Sequence, residues 1–234
     1  MINKPSLVLV PGLLCDAALW RAQVADLADL CTPWVADVTR DDTMTDMARR
    51  VLAEAPPGRF ALAGLSMGGY VAQAIMREAP ERVERLALLD TSAKADTPEQ
   101  TARRRGLIEL AEKGDFKGVT PRLLPLFIHP DRMTDKPLAE AVMAMTERVG
   151  KDAFLRQQRA IMSRPDNRPN LPKVNCPSLV LCGREDQMTP LDWSEEIASL
   201  IPGARLEVIE HCGHLTTMER PWETSVALRQ WLTK

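Results

Sequence analysis

The stretch Gly64-Leu65-Ser66-Met67-Gly68-Gly69 places a serine between glycines, directly after the apolar run Phe60-Ala61-Leu62-Ala63. The residues that follow, Tyr70 to Met76, have the composition of a helix. A strand, a sharp turn and a helix in this order expose a nucleophilic serine above a sheet. Glycines suit positions 64 and 68 because a strained turn and close strand–helix packing leave no room for a Cβ. The stretch therefore predicts a strand–turn–helix elbow that presents Ser66.

Short apolar runs on both sides of this elbow have the near-continuous hydrophobicity of strands buried in a parallel sheet. The six predicted strands are Leu7–Val10, Trp34–Val38, Phe60–Ala63, Leu86–Leu89, Leu179–Cys182 and Leu206–Ile209. The helix-like stretches between and after them are Ala18–Leu30, Met44–Ala55, Ser194–Leu200 and Pro221–Leu232. This alternation predicts an α/β fold, a doubly wound and predominantly parallel six-stranded sheet.

Residues 93–173 interrupt the alternation, because they contain no convincing strand. Leu138, Val142, Met145 and Val149 recur at the spacing of one helix face, and several prolines divide the rest into short pieces. We expect a helical cap insertion over 93–173, above the carboxyl edge of the sheet. Residues 1–92 and 174–234 would then form the core.

Composition limits the classes of function. The 234 residues are 45% hydrophobic and 26% charged, enough for one domain that buries its own core without metal or disulfides. A formal net charge of −2 argues against nucleic acid or an anionic membrane as partner. The five cysteines form no C-x-x-C pair, which predicts reduced thiols in a cytoplasmic protein without a metal or cofactor.

An activated serine needs a base, and the chain has three histidines. His214 follows the last predicted strand, so its loop lies at the carboxyl edge that also presents Ser66. His211 stands closer to the strand end and is expected to pack. His129 belongs to the insertion and is expected to cap a turn or to lie at the surface. We therefore predict His214 as the base.

Two aspartates are candidates for the acid that orients this base. Asp186 follows the fifth predicted strand, and Asp90 ends the fourth. Both would reach the carboxyl edge of the sheet. Asp186 is favoured because its turn is short and ends at Pro190, whereas Asp90 would also serve as a cap. Glu185 is a third candidate that is expected to point to solvent.

The oxyanion needs backbone donors near the serine. The Met67 amide opens the helix after Ser66 and is one predicted donor. The loop after the first strand, residues 11–16, should supply the second. Gly12 permits a sharp turn there, which makes the Leu13 amide the expected donor. The other interpretation of this loop is an ordinary strand–helix turn capped by Asp16, and both interpretations can hold at once.

The order Ser66, Asp186, His214 resembles that of the α/β-hydrolase superfamily. Four motifs carry the resemblance, which extends over essentially the whole chain: the loop 11–16, the stretch 64–68, the turn 183–190, and Cys212-Gly213-His214 followed by Glu219-Arg220-Pro221. Two departures stand out. The family usually has His-Gly where this chain has Pro11-Gly12, which spares the Leu13 amide. The family's opening pair of strands is expected to be absent, which leaves six parallel strands.

The insertion resembles the helical cap that this family places over its nucleophile. Its apolar side chains, with those of neighbouring loops, would line an adaptable pocket. The predicted substrate contacts are Leu14, Phe127, Met145, Met162 and Leu215. The alternative is that the methionines pack the cap against the core, and methionines at helical spacing favour that interpretation.

These residues predict a metal-independent serine hydrolase that cleaves a small-molecule ester of a small to medium, largely apolar acyl group. A cysteine nucleophile is disfavoured because Cys15 and Cys212 do not lie on the elbow. The resemblance also permits thioester or carbon–carbon bond hydrolysis, acyl transfer or perhydrolysis by the same three residues. A ligand-binding protein without turnover is the alternative from another class.

Overall fold

The computed structural model describes residues 4–234 and shows a six-stranded sheet in which all strands are parallel. The strands are β1 (Ser6–Val10), β2 (Thr32–Val35), β3 (Phe60–Leu65), β4 (Val83–Leu89), β5 (Ser178–Gly183) and β6 (Arg205–Ile209). Their order across the sheet is β2-β1-β3-β4-β5-β6. The predicted six-stranded parallel sheet is confirmed.

Helices cover both faces of the sheet. They are α1 (Arg21–Asp26), α2 (Met44–Glu54), α3 (Met67–Glu78), α4 (Pro98–Leu110), α5 (Lys136–Met162), α6 (Leu191–Leu200), α7 (Thr216–Glu219) and α8 (Pro221–Thr233). Alternate residues of β1 belong to different cores. Val8 and Val10 pack in the cluster that includes α2, α3 and α6, whereas Leu7 and Leu9 pack in the cluster that includes α8. The fold is therefore doubly wound, as predicted.

The two edge strands differ from the prediction of buried strands. Most residues of β2 and β6 are only partly buried, whereas every residue of β3 and β5 is buried. An edge strand has a neighbour on one side only, so its outer side stays open to solvent. The predicted bounds of the second strand, Trp34–Val38, were wrong as well, because its pairing with β1 runs from Thr32 to Val35.

The first helical stretch is shorter than the predicted Ala18–Leu30. A 3₁₀ turn, Ala17–Trp20, precedes the six-residue α1. The Asp16 side chain accepts the Ala18 N–H at 2.8 Å, a local bond that tightens the first turn. The expected capping role of Asp16 is confirmed.

The segment between β4 and β5 is helical, and its described residues contain no strand. Its longest element, α5, is broken at Gly150, which has φ +76° and ψ 178°. Leu138, Val142 and Met145 are buried, as the predicted helix face requires. The division into a core and a cap over 93–173 remains a prediction. Among residues 4–234, no helix combines the length and apolarity that crossing a membrane requires.

Candidate active site

Ser66 lies between the last residue of β3 and the first of α3, in a backbone conformation that few side chains adopt. Its φ is +56° and its ψ is −115°. Conformations of this kind cost roughly 1–3 kcal/mol and persist where neighbours hold them. The Ser66 N–H donates to the Leu89 carbonyl at 2.9 Å, and the Thr91 hydroxyl donates to the Ser66 carbonyl at 2.7 Å. β4 thus holds the strained residue at the carboxyl edge of the sheet.

The elbow needs glycine at positions 64 and 68, as the sequence predicts, because a side chain there would collide with neighbouring backbone atoms. A Cβ on Gly64 would lie 2.2 Å from the Gly68 carbonyl oxygen. A Cβ on Gly68 would lie 2.0 Å from the Val10 carbonyl oxygen. Real Cβ atoms do not approach backbone oxygens so closely, so the helix could not pack here with alanine at either position. The elbow therefore depends on close approach of three backbone segments.

His214 and Asp186 meet across two loops, with 2.8 Å between His214 Nδ1 and Asp186 Oδ2. Both residues are buried. The Asp186 carboxylate also accepts the N–H groups of Met188 and Thr189 at 2.8 and 3.0 Å, and the Thr189 hydroxyl at 2.6 Å. These donors hold the carboxylate in one orientation. The imidazole is held in turn with its Nδ1 toward Asp186 and its Nε2 available for a substrate or nucleophile.

The pKa values of the pair move apart. Burial by itself raises the pKa of Asp186, but the His214 charge, the bond to His214 and the Thr189 bonds outweigh burial, and the net pKa is lowered. Burial by itself lowers the pKa of His214, but the charge and hydrogen bond of Asp186 outweigh it, and the net pKa is raised. The arrangement therefore favours an ionised Asp186 and stabilises the imidazolium that forms when His214 takes a proton.

Asp90, the alternative acid, has other partners. One carboxylate oxygen accepts the Gly183 N–H at 2.9 Å, and the other accepts the Thr216 hydroxyl at 2.5 Å. Complete burial, followed by the charge of Asp186, raises its pKa well above the ordinary range. Asp90 joins β4 to the ends of β5 and α7, whereas Asp186 contacts His214.

No hydrogen bond links the Ser66 hydroxyl to His214 within residues 4–234. Catalytic contacts of this kind are often long or misaligned before a substrate binds. Ser66 is partly exposed, whereas His214 is buried.

The predicted oxyanion loop lies directly against the serine. A Cβ on Gly12 would lie 3.3 Å from the Ser66 Cβ. The next residues turn sharply, with φ +59° at Leu14. The Leu14 N–H donates at 3.0 Å to the side-chain oxygen of Gln157, a buried residue of α5 whose own amide group donates to the Val38 carbonyl at 3.1 Å. The loop that carries the Leu13 amide is thus anchored by α5.

The five predicted substrate contacts occupy different surroundings. Met145 and Leu215 are buried in one core cluster, against which Phe127 packs. The Phe127 ring lies edge-on to the His214 ring, with 6.4 Å between centroids. Leu14 packs in a separate small cluster with Phe154, and Met162 is half-buried at the end of α5. The burial of Met145 agrees with the core-packing alternative for the methionines.

Three residues support the site but were not predicted as site residues from the sequence. Gln157 and Thr189 have the contacts described above. Glu219 is fully buried and accepts the N–H groups of His129 and Leu215 at 2.7 and 3.3 Å, and burial raises its pKa. The sequence offers one signal for Glu219, its place in the Glu219-Arg220-Pro221 motif. Gln157 offered no signal, because its partner Leu14 is 143 residues away in the chain. Thr189 offered none of its own, because its role is to donate to Asp186, which must first be recognised as a site residue.

Burial and hydrogen bonds show what the remaining cysteine, histidine and glutamate candidates do. Burial raises the pKa of Cys15 to about 12, and that of Cys212 still further, so neither thiol is poised as a nucleophile. His129 caps a turn, as predicted, because its Nδ1 accepts the Asp131 N–H at 3.1 Å. The expectation that His211 packs was wrong, since its side chain is 70% exposed. Glu185 was expected to face solvent, but its carboxylate accepts the Cys212 N–H at 3.0 Å.

The fold and the elbow define the class of protein. The model of the alpha/beta hydrolase family matches residues 7–228, and the chain belongs to that family. Because its relatives are hydrolases, the chain is a hydrolase.

Several relatives are similar over most of the chain. A pimeloyl-[acyl-carrier protein] methyl ester esterase of Nitrosomonas europaea is 28% identical over 94% of this chain and 92% of its own length. A thermophilic esterase of Thermogutta terrifontis is 30% identical, with a TM-score of 0.88 over 98% of this chain and 90% of the esterase. A 2-hydroxymuconate semialdehyde hydrolase of Pseudomonas putida is 32% identical over 68% of this chain and 57% of its own length.

Proposed function

We propose that this chain is a serine hydrolase that cleaves carboxylic esters of small to medium, largely apolar acyl groups. The observation that carries the proposal is the 2.8 Å contact between His214 and Asp186 at the sheet edge where Ser66 stands in its strained turn. A nucleophile, a base and an oriented acid are the parts that acyl transfer to serine requires.

In the proposed mechanism, the Ser66 hydroxyl attacks the ester carbonyl while His214 takes its proton. Asp186 holds the imidazole and stabilises the imidazolium. The amides of Leu13 and Met67 donate to the oxyanion of the tetrahedral intermediate. The intermediate collapses as His214 gives its proton to the leaving alcohol. Water then attacks the acyl-enzyme with His214 as base, which releases the acid and restores Ser66.

The proposed substrate class rests on the apolar groups beside the oxyanion loop. Leu13 and Leu14 pack against a small cluster that includes Phe116 and Phe154, whose ring centroids are 5.2 Å apart. An acyl chain whose carbonyl oxygen is held by this loop would lie close to these side chains. Two esterases among the relatives support the same bond type. The proposed partner is therefore a small ester, with no metal or cofactor in the reaction.

A second candidate follows from the Pseudomonas putida relative. A 2-hydroxymuconate semialdehyde carries carbonyl groups but no ester, so that relative's named substrate differs from those of the esterases. Hydrolysis of a carbon–carbon bond next to a carbonyl, by the same three residues, is the second candidate. The two candidates differ in the pocket rather than in Ser66, Asp186 and His214.

Hydrolysis of p-nitrophenyl esters from acetyl to decanoyl, by wild type and Ser66→Ala, tests the proposal. We expect a rate maximum at one chain length and a loss of roughly 10⁶-fold in the variant, because removal of the nucleophile disables the whole triad. Irreversible labelling of wild type by a fluorophosphonate, but not of the variant, is the matched control. Rates near background in both proteins would contradict the ester proposal, and turnover of a dicarbonyl substrate by wild type alone would support the second candidate.

A further inference from the structure

The two histidines that the proposed mechanism does not use lie beside the same aspartate. His129 and Asp131 flank Pro130 at the start of a short 3₁₀ turn, and His211 lies in the loop between β6 and α7. One potential ligand atom from each of the three side chains lies within 4.8 Å of the other two. Two imidazoles and a carboxylate form a donor set that suits a divalent transition metal better than Mg²⁺ or Ca²⁺, which prefer oxygen ligands.

The distances between the candidate ligand atoms are close to those between ligand atoms around a bound zinc ion. His129 Nδ1 lies 3.6 Å from Asp131 Oδ2, and His211 Nδ1 lies 3.9 Å from the same oxygen. Ligand atoms about 2.0–2.1 Å from a tetrahedral zinc ion are about 3.4 Å from one another. Binding through all three atoms requires rotations of the exposed His211 and Asp131 side chains, and it also requires the His129 ring to turn so that its Nδ1 lone pair leaves the Asp131 N–H.

The tautomer of His129 also fits coordination through Nδ1. Because Nδ1 accepts the Asp131 N–H, the proton of the neutral ring is on Nε2. That nitrogen lies 3.8 Å from a carboxylate oxygen of Glu185, which the Cys212 N–H holds at 3.0 Å. A metal-binding histidine commonly donates its second ring N–H to a carboxylate, and Glu185 is near enough to become that acceptor after a shift of less than about 1 Å, although 3.8 Å is too long for a hydrogen bond. A bound cation would take over the Nδ1 lone pair, and the Asp131 N–H would lose His129 as its acceptor.

The site is open on one side and anchored on the other. The side chains of His211 and Asp131 are 70% and 69% exposed, whereas that of His129 is 11% exposed. The backbone of His211 is anchored because its carbonyl accepts two N–H groups of Arg220, at 2.9 and 2.8 Å. An ion could therefore enter from solvent and keep water in its remaining coordination position.

We propose that His129, Asp131 and His211 bind one zinc ion. The ion would join the insertion to the loop that carries His214, two segments that already meet where the His214 and Leu215 N–H groups donate to the Phe127 carbonyl. The proposed zinc ion takes no part in attack on the substrate. It braces the segment against which the base is held.

Calorimetric titration of Zn²⁺ into tag-free, chelator-treated protein tests this site. We expect one zinc ion per chain, and affinity lower by roughly tenfold or more in His211→Gln and in Asp131→Asn, because each removes one of three ligands. Glu210→Gln is the matched control, an exposed neighbour of His211 outside the cluster, and should bind zinc like wild type. Mg²⁺ should produce no binding heat. Both ligand variants should keep the wild-type Tm without zinc, since the substituted side chains are exposed.

Nitrogen-15 NMR of the histidine rings identifies the bonded atoms. Zinc should shift Nδ1 of His129 and of His211 while His214 stays unshifted. Absence of zinc binding by wild type would overturn the proposal. Equal affinity in wild type, His211→Gln and Asp131→Asn, or shifts confined to His214, would overturn it too. These measurements need no substrate, so their outcome is separate from that of the ester proposal.

Discussion

Gln157 connects α5 to the loop that carries the proposed oxyanion donor, and Gln157→Leu tests that connection. The side chain is fully buried, accepts the Leu14 N–H at 3.0 Å and donates to the Val38 carbonyl at 3.1 Å. Leucine keeps a similar volume but can make neither bond. Two buried backbone groups would lose their partners, at about 1–3 kcal/mol each, so the free energy of unfolding should fall by about 2–6 kcal/mol.

The effect on catalysis follows from the position of Leu14. Its φ of +59° is unusual for leucine, and the bond to Gln157 helps to hold it. Without that bond the adjacent Leu13 amide should lose its alignment. Complete removal of one oxyanion donor costs roughly 10²–10³-fold in kcat, so misalignment in Gln157→Leu should cost roughly 10- to 100-fold. KM should change little, because the donor acts mainly on the transition state.

The assay is steady-state hydrolysis of the preferred p-nitrophenyl ester, with thermal unfolding measured on the same samples. Gln158→Leu is the matched control, since Gln158 is a buried neighbour on α5 whose side-chain oxygen accepts from Arg104 at 2.9 Å, away from the oxyanion loop. We expect Gln158→Leu to lower Tm and keep kcat. Gln157→Glu keeps an acceptor for Leu14 and should restore part of kcat. The reasoning would be refuted if both leucine variants lowered Tm and neither lowered kcat.

Two further predictions concern the charge of the triad and the packing of the elbow. Because the pKa of His214 is raised above 6.5 and its neutral form is the base, kcat/KM should rise with pH through a midpoint above 6.5. Asp186→Asn should lower kcat by roughly 10⁴-fold and move that midpoint to lower pH, since burial then dominates the pKa. Gly68→Ala should lower Tm, whereas Gly106→Ala, at a helix position with no atom within 4 Å of the added Cβ, should raise it slightly. Kinetic pH profiles and thermal unfolding measure these effects.

Each of these predictions has an outcome that contradicts it. An unchanged or higher midpoint in Asp186→Asn would mean that the Asp186 charge does not set the pKa of His214. Equal Tm values for Gly68→Ala and wild type would mean that α3 can withdraw from β1 without cost, although an added Cβ at position 68 would lie 2.0 Å from the Val10 carbonyl oxygen.

Local patterns in the sequence predict much of the fold. Runs of apolar residues indicate buried strands wherever a strand has neighbours on both sides, so β3, β4 and β5 were located well. The same logic failed at β2, where the edge position relaxes burial and pairing with β1 sets the bounds. The helix predicted over Ala18–Leu30 is shorter in the structure, because a 3₁₀ turn capped by the Asp16 side chain precedes α1 and α1 ends at Asp26.

The candidate site divides in the same way. The elbow at Ser66 is a local structure, and its glycines and flanking runs adjoin in the chain, so a reader of the sequence can locate it. The choice between Asp186 and Asp90 is different. Both follow buried strands, and those strands are neighbours, so chain order brings both to one edge. Only the loop conformations place one carboxylate 2.8 Å from His214 and turn the other toward Gly183.

Contacts between distant segments had no signal in the chain at all. Gln157 lies 143 residues from Leu14, and His211 lies 80 residues after Asp131 in the chain. Periodicity and turn chemistry act over a few residues, so they specify strands, helices and the serine elbow. The bond from Leu14 to Gln157 and the proximity of two histidines to one aspartate depend on packing between distant elements, which local sequence does not specify.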